Sequence, residues 1–388
     1  MRLRGLRVLH FGKFYPPHRG GMEAVVASLC RGLIGRGVDC RVVVASDGNG
    51  SVATRDCGVR VRHMRSFGML DSMPICPEAL SVLRALDVDV INLHHPNPLA
   101  DISFLASNAR ARLVVTYHSD IVRQRTLGRL HGPLLRRTLR RADAIVATSP
   151  QYAASSPVLR DFRDKIHIIP LGLTPPPLAG WRAPFDGSLA GPQYLFVGRL
   201  VAYKGIPVLL EALRTVPGCL WIAGSGPLQG ELRALAVRLG LRRRVELLGD
   251  VSDEEKLRRL SQCDAVVLPS TTRAEAFGIV LLEAMAMARP VVVSDLPTGV
   301  QMLVEEGANG YLFTPGSAAA LADALRRLAG GPARAREMGE EGRRRLLDRW
   351  TTEHMVQRYV RLYERLCVPQ KRPEQRPAPI EPARATRT

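Results

Sequence analysis

Aromatic residues and long apolar runs are scarce in this chain of 388 residues. Aromatic side chains make up 5% of it, and it has no zinc-finger spacing, RNA-recognition signature or basic zipper, which argues against a nucleic-acid binder. No uncharged apolar run approaches the ~18 residues that a membrane-spanning helix needs. The first apolar stretch begins at Val8 and stops at Lys13, so we expect no secretory signal.

Paired cysteines are missing as well. The seven cysteines form no C-x-x-C pair and show no metal-like spacing; they are Cys30, Cys40, Cys57, Cys76, Cys219, Cys263 and Cys367. An odd, scattered set is typical of reduced thiols, so the sequence predicts a cytoplasmic protein without a metal site.

Basic residues, in contrast, are abundant. The 55 lysines and arginines outnumber the 36 acidic residues, and the net charge of +19 indicates a negative partner such as nucleic acid, a phosphorylated substrate or an anionic membrane surface. Apolar residues at 46% and charged residues at 23% are typical of a globular protein. At ~150 residues per domain, the length suggests two or three domains.

Short β-branched runs alternate with longer segments of helical period along most of the chain. Continuous apolar runs such as Ala144–Ala147 suit parallel strands buried on both faces. The alternation breaks at a Pro- and Gly-rich stretch and then restarts, which predicts an α/β protein with two Rossmann-like, doubly wound domains facing a cleft. We assign residues 1–170 to the first domain, 171–192 to a linker, 193–350 to the second domain, 351–367 to a C-terminal helix and 368–388 to a disordered tail.

Glycine loops follow the first strand of each domain. Gly20 and Gly21 lie between a strand and a helix, where a ligand could approach the backbone and the helix N–H groups; the simpler interpretation is a tight turn. In the second domain, Gly198 ends a strand. Arg199 and Lys204 then offer a planar donor fork and a point charge suited to a diphosphate, unless they are merely solvated cations.

A second glycine turn, with Gly224 and Gly226, ends the next strand. It is a truncated dinucleotide fingerprint, because Gln229 stands where the third glycine belongs and no downstream residue supplies the acid for a ribose. The turn is therefore weak evidence for a nicotinamide cofactor.

Glu275 and Glu283 bracket a transition from loop to helix. One carboxylate suits sugar hydroxyls and the other a ribose, and the N–H groups between them suit a phosphate or sugar oxygen. The candidates in between for this contact are Phe277, Gly278 and Ile279. The alternative is an amphipathic helix whose carboxylates fall at this spacing by chance.

Taken together and in this order, the motifs resemble glycosyltransferase family 4, whose members have the GT-B fold. The resemblance implies that Arg199 and Lys204 bind the donor diphosphate and that Glu283 binds its ribose. It implies that Glu275 and the Phe277–Gly278 backbone hold the transferred sugar, while the first glycine loop approaches the phosphate from the other domain. It also implies that the C-terminal helix packs back on the first domain.

His118 follows a strand where this family often has a histidine facing the donor sugar, so the resemblance places it in the active site; a solvated loop histidine is the alternative. The series Tyr117–Gln124, with Lys13–Gly21, is similar to bacterial mannosyl- and rhamnosyltransferases of surface polysaccharide assembly. This implies a GDP-mannose or GDP-rhamnose donor, a sugar or lipid-linked acceptor, and retention of configuration. Glu275 is then no nucleophile, and no carboxylate base is required.

Four residues at three places in the chain depart from the family pattern. Ala276 stands where proline is common, and Ala288 replaces the usual glycine, so we expect its helix to end without a left-handed cap. Gln301-Met302 replaces Pro-Glu, so the sequence gives less support for a phosphate contact by the loop Thr298–Val300. Val251 lies in a loop that is a candidate for reading the nucleotide base.

No cofactor is expected, since the two cations and the helix N-termini can neutralise a leaving diphosphate. Asp87-Val88-Asp89 spells a metal-binding D-x-D, but it lies at the amino end of a strand, away from the cleft, where a solvated turn is the simpler interpretation. His94-His95 could approach the acceptor, yet they lack the partners of a metal site.

The segment Arg123–Arg141 carries seven arginines and has leucines at helical spacing. A basic amphipathic helix suits an anionic membrane surface, whereas a domain helix with its leucines in the core is the simpler alternative. The predicted location is the cytoplasm, with this helix as a candidate for peripheral attachment to the inner face of the cell membrane.

Two other functions stay open. One is the same fold with a UDP-sugar donor, as in a glucosyl- or N-acetylglucosaminyltransferase. The other is a non-catalytic GT-B membrane scaffold, against which the four intact residues Arg199, Lys204, Glu275 and Glu283 argue.

Overall fold

The computed structural model of this protein describes residues 4–18, 20–46, 48, 50–70, 73–120, 125–178 and 191–367. The predicted tail 368–388, much of the predicted linker, and Arg123 of the basic segment lie outside the described residues.

The first half of the chain alternates strands and helices. Its strands are β1 Arg7–Phe11, β2 Asp39–Ala45, β3 Val52–Asp56, β4 Val59–Met64, β5 Met69–Leu70, β6 Met73–Pro74, β7 Val90–His95, β8 Arg112–Tyr117, β9 Ala144–Ala147 and β10 Ile166–Ile168. Its helices are α1 Gly21–Ile34, α2 Ala79–Ala85, α3 Pro98–Ser107, α4 Arg125–Arg141 and α5 Pro150–Ser155.

The second half repeats the alternation. Its strands are β11 Gln193–Val197, β12 Cys219–Ala223, β13 Val245–Gly249, β14 Ala265–Leu268, β15 Val291–Ser294 and β16 Gly310–Phe313. Its helices are α6 Ile206–Leu213, α7 Gln229–Arg238, α8 Asp253–Gln262, α9 Ile279–Ala286, α10 Gly299–Leu303, α11 Ala318–Gly330, α12 Pro332–Arg349 and α13 Thr352–Cys367.

Each half builds one main sheet. The first has the order β10-β9-β8-β7-β1-β2-β4-β3 and is parallel except for the β3–β4 pair. The second has the order β13-β12-β11-β14-β15-β16, with parallel pairs. In both, the chain lays strands on one side of the first strand and then crosses to the other side. The predicted α/β class with two doubly wound domains is therefore confirmed.

The central strands are apolar because helices cover both faces of each sheet. All residues of β9, β14 and β15 are buried. A buried parallel strand leaves no face for polar side chains, which explains the continuous apolar runs in the sequence.

The last described helix, α13, packs against the first domain. Tyr363 Oη accepts a hydrogen bond from the Asn92 amide at 2.9 Å, and Tyr359 Oη lies 3.0 Å from the Thr116 hydroxyl. Both tyrosines are buried, so these contacts fix the helix across the back of the first sheet.

The chain passes between the domains at two adjacent segments. The Leu173 N–H donates to the Trp350 carbonyl at 3.0 Å, and the Thr352 N–H donates to the Leu173 carbonyl at 3.1 Å. At Gly172 a side chain would collide with the Thr351 carbonyl, so glycine permits the close crossing.

The end of α9 corrects one expectation. Ala288 has φ 53, and the Arg289 N–H donates to the Ala284 carbonyl at 2.9 Å. The helix therefore does end in a left-handed cap, formed by alanine instead of glycine. Packing enforces this conformation, since the Ala288 carbonyl lies against Gly339 of α12.

Candidate active site

The N-termini of two helices from opposite domains meet at the cleft. The loops after β1 and β14 leave their sheets where the strand order reverses, which is where open α/β sheets bind ligands. The first loop leads into α1 and the second into α9. A side-chain carbon added at Gly21 would lie only 3.1 Å from Cγ2 of Ile279. The free N–H groups of both helices therefore converge on one place, a favourable site for an anion.

Both helices begin with glycine and have no side-chain cap among the described residues. Gly278 precedes α9 with φ 75, a conformation that side chains disfavour. Gly20 precedes α1, and a side chain there would collide with the Glu23 carboxylate. Phe277 is buried. The loop before α9 is held by a hydrogen bond from the Gly299 N–H to the Ala276 carbonyl at 2.8 Å.

The other predicted glycines let two loops of the second domain stack backbone to backbone. Gly198 has φ 153 and Gly224 has φ 134. A side chain on Gly224 would collide with the Gly198 carbonyl, and one on Gly226 would lie 2.5 Å from the Leu200 carbonyl oxygen. These glycines thus hold the Arg199 loop in place, which is a packing role.

Lys204 and Glu275 form an ion pair although 71 positions separate them. Nζ of Lys204 lies 2.6 Å from Oε2 of Glu275, and the Ser270 hydroxyl donates to the same oxygen at 2.8 Å. The two side chains are 12% and 8% exposed. Burial alone would lower the pKa of Lys204, but the charge of Glu275 outweighs it and the pKa is raised. Lys204 therefore stays charged at neutral pH.

Glu283 is also paired, with a residue that the sequence did not suggest. Nζ of Lys256 on α8 lies 2.9 Å from Oε1 of Glu283. Burial alone would lower the pKa of Lys256, but the charge of Glu283 acts against burial and the pKa of Lys256 is raised. Val251, the candidate base-reading residue, is half-buried just before α8. Lys256 lies four positions after Ser252, whose side chain caps α8, so the start of this helix was the signal in the sequence that could have pointed to Lys256.

A second cation enters the cleft from the first domain. Lys13 follows β1, is half-buried, and has its pKa lowered by burial and by the charge of Arg199, while Glu23 opposes that lowering. Arg199 itself is exposed. Lys13 and Arg199 therefore belong to opposite domains but influence each other electrostatically, and the sequence did not single out Lys13.

His118 lies in the first domain directly after β8 and is 6% exposed. Its environment lowers its pKa to about 4, mainly through burial and then through His95, so the ring is neutral at pH 7. The alternative of a solvated loop histidine is therefore wrong.

An interdomain ion pair joins the segment of His118 to the segment of Glu275. Arg273 lies 3.0 Å from Oδ2 of Asp120, and it donates to the Ser155 carbonyl at 2.7 Å. Its guanidinium also lies 4.8 Å from the centre of the Tyr152 ring. This arginine brings the two loops together and was not predicted.

Comparisons with known proteins agree with this geometry. Residues 186–345 match the family described as Glycosyl transferases group 1, and residues 19–175 match Glycosyltransferase Family 4. The chain is 37% identical over 373 residues to O-antigen chain mannosyltransferase C of Escherichia coli, covering 93% of this chain and 99% of that protein. It is 38% identical over 352 residues to the D-rhamnosyltransferase WbpZ of Pseudomonas aeruginosa, covering 88% and 91%.

The chain belongs to the GT-B glycosyltransferases. The fold of this glycosyltransferase is similar to that of sucrose-phosphate synthase from Thermosynechococcus elongatus, with a TM-score of 0.76, 24% identity and coverage of 93% and 99%. It is also similar to Anabaena HepE in complex with UDP-glucose, with a TM-score of 0.72, 21% identity and coverage of 93% and 100%. The predicted GT-B fold is confirmed.

The D-x-D sequence of this glycosyltransferase lies where the sequence suggested, at the amino end of β7. Arg7 donates to Asp89 at 2.7 Å and also pairs with Asp87. Both carboxylates are thus bound to an arginine at the edge of the sheet opposite the helix N-termini.

In helix α4, Leu135 and Leu139 are buried, and Arg137 and Arg140 are exposed. The side chains of residues 125–130 lie outside the described part. The described turns thus have the expected amphipathic pattern. Within the described residues, no helix is both long and apolar enough to cross a bilayer.

Proposed function

We propose that this glycosyltransferase is a retaining hexosyltransferase that moves mannose or rhamnose from a GDP-linked donor to a sugar or lipid-linked acceptor in surface polysaccharide or glycolipid synthesis. The observation that carries the proposal is the meeting of the α1 and α9 N-termini at Gly21 and Ile279, beside the Lys204–Glu275 pair. The names of the two relatives support the choice of sugar.

The ion pair suggests how the donor enters. In the structure the Glu275 carboxylate holds the Lys204 ammonium at 2.6 Å. A bound diphosphate would take over the ammonium, together with Arg199 and the helix N–H groups, and Glu275 would be released to accept hydrogen bonds from sugar hydroxyls. Glu283 would likewise exchange Lys256 for the ribose.

The reaction itself needs little from the side chains. The bond from the anomeric carbon to the diphosphate oxygen breaks, and the bond from the acceptor oxygen forms on the same face of the sugar. The acceptor proton passes to the leaving phosphate oxygen, so no carboxylate base is required. The cations and helix N-termini stabilise the departing charge, and no metal or other cofactor is part of the proposal.

The proposal places the enzyme in the cytoplasm, where the exposed arginines of α4 would meet an anionic membrane surface that carries the acceptor. Sedimentation with vesicles of phosphatidylglycerol tests this. Binding should fall when Arg137 and Arg140 are replaced by Gln, whereas equal binding would contradict the contact.

The donor is tested by the thermal shift of the purified protein with GDP, UDP and their sugars. We expect a selective shift with GDP and GDP-mannose that is lost in Lys204→Ala. Selectivity for UDP compounds would overturn the donor assignment, and no shift with any nucleotide would favour a non-catalytic scaffold. Transfer that persists in EDTA tests the claim that no metal is needed. The anomeric configuration of the product, read by NMR, tests the claim of retention.

A further inference from the structure

Three buried histidines form a continuous row that ends at His118. His10 of β1, His94 of β7 and His118 after β8 come from neighbouring strands of the first sheet. Nδ1 of His10 lies 3.0 Å from Nε2 of His94, and Nδ1 of His94 lies 3.0 Å from Nε2 of His118. At both steps the ring centres lie 5.3 Å apart, and the ring planes are inclined by 28° and 16°. The row is thus connected by two nitrogen-to-nitrogen hydrogen bonds.

The protons of such a row are not independent. Burial lowers the pKa of His94 and takes that of His118 to about 4, so both rings are neutral at pH 7. A neutral imidazole has one N–H and one lone pair, and each contact needs one donor and one acceptor. Because His94 has one proton, two arrangements satisfy both contacts: either its Nδ1–H donates to His118 and its Nε2 accepts from His10, or its Nε2–H donates to His10 and its Nδ1 accepts from His118.

We propose that His10 and His94 are positioning residues that tie the tautomer of His118 to their own. Nδ1 of His118 is buried and has no hydrogen-bond partner among the described residues, so it is the atom left for a ligand. It donates in one arrangement and accepts in the other. The inference rests on the proposed function in giving His118 a sugar to contact, but the proton order of the row does not depend on it.

The outer end of the row is closed by buried sulfur atoms. A ring nitrogen of His10 lies within 4.8 Å of the sulfur atoms of Cys30 and Cys40. Both cysteines are fully buried. His10 is therefore shielded from bulk solvent, which would otherwise let its tautomer exchange freely.

The first test measures the tautomers directly by two-bond proton–nitrogen NMR of the free protein with labelled histidine at neutral pH. We expect His10, His94 and His118 to be protonated on the same ring nitrogen. A mixed set of tautomers in the unaltered protein would overturn the proposal, and this readout requires no variant to fold.

The second test breaks the row away from His118. His10→Phe does not touch His118, yet it should turn His118 into a mixture of tautomers, as should His94→Phe. The matched control is His131→Phe, because His131 is a buried histidine of the same domain whose Nε2 is bound to Asp101 at 2.8 Å outside the row. An unchanged His118 in both row variants would refute the coupling.

Kinetics then separate positioning from stability. Both row variants should lower kcat ~10-fold, equivalent to ~1.4 kcal/mol, the size of one net hydrogen bond, with little change in the donor KM. His131→Phe should leave kcat unchanged. If no sugar is transferred from any GDP or UDP donor while the tautomers agree, the proposed function fails and the row stands. If transfer occurs and the row variants keep full kcat, the positioning role fails.

Discussion

The ion pair between Lys204 and Glu275 allows the donor site to be separated from stability by a double-mutant cycle. Lys204→Met would leave a carboxylate that is 8% exposed and has, among the described residues, only the Ser270 hydroxyl as a partner. Breaking one side of a buried pair costs ~3 kcal/mol or more. Glu275→Gln should cost less, ~1–2 kcal/mol, because the amide oxygen can still accept from the lysine and the serine.

The double variant removes both charges at once. We expect it to be more stable than Lys204→Met by ~2 kcal/mol, which corresponds to ~4–8 °C in Tm for a domain of this size. The pKa of Lys204 in the folded protein is above its ordinary value of 10.5. The contribution of the Lys204–Glu275 pair to stability is therefore complete at neutral pH and is lost only as the pH rises beyond that value.

Urea unfolding measures the stability, and titration with GDP-mannose measures donor binding. The double variant should regain stability but not affinity, since it still lacks the lysine that we propose to bind the diphosphate. Strictly additive losses would show that the two side chains are not coupled in the free protein. Recovery of donor affinity in the double variant would show that Lys204 does not bind the diphosphate.

Three further predictions concern the surroundings of the site. Arg273→Ala should open the cleft, because Arg273 joins the two domains through its ion pair with Asp120 at 3.0 Å. We expect a larger radius of gyration by X-ray scattering and a kcat/KM that is lower by ~10-fold. An unchanged radius of gyration would contradict this prediction. Gly224→Ala should lower the free energy of unfolding in urea by ~2 kcal/mol or more, because Gly224 has φ 134 and an added methyl group would meet the backbone of the neighbouring loop. Gly230→Ala should be neutral or stabilising, because the space around Gly230 at the start of α7 is open. The pKa of His118 is lowered from 6.5 to about 4 in the folded protein, so the unfolded chain binds this proton first as the pH falls. The free energy of unfolding should therefore decrease between pH 6.5 and pH 4. His118→Asn should flatten this pH dependence of stability, and an unchanged pH dependence would refute the buried neutral ring.

Several site residues were predictable because local spacing carries their information. The loop after β14 and the start of α9 place Glu275, Gly278 and Glu283 within one short segment, and Glu283 falls on the second turn as expected. The contacts of these residues were not predictable. Lys204 and Lys256 reach them from other elements, and no periodicity links positions so far apart in sequence.

The first domain shows the same division. The position of His118 after a strand was visible in the sequence, but its row with His10 and His94 depends on the order of the strands. The cap at Ala288 was predicted wrongly, because residue type alone suggested no left-handed conformation and the packing of α12 decided it.

The sequence by itself determined the fold class, the family and the short motifs at strand ends, since apolar runs, glycines and charges act on their immediate neighbours. The tertiary structure decided which charges pair, which histidines align and where the two domains touch. These properties depend on strand order and on the approach of two helix N-termini across the cleft. Contacts between distant segments follow from the geometry of the whole chain, and no local pattern encodes them.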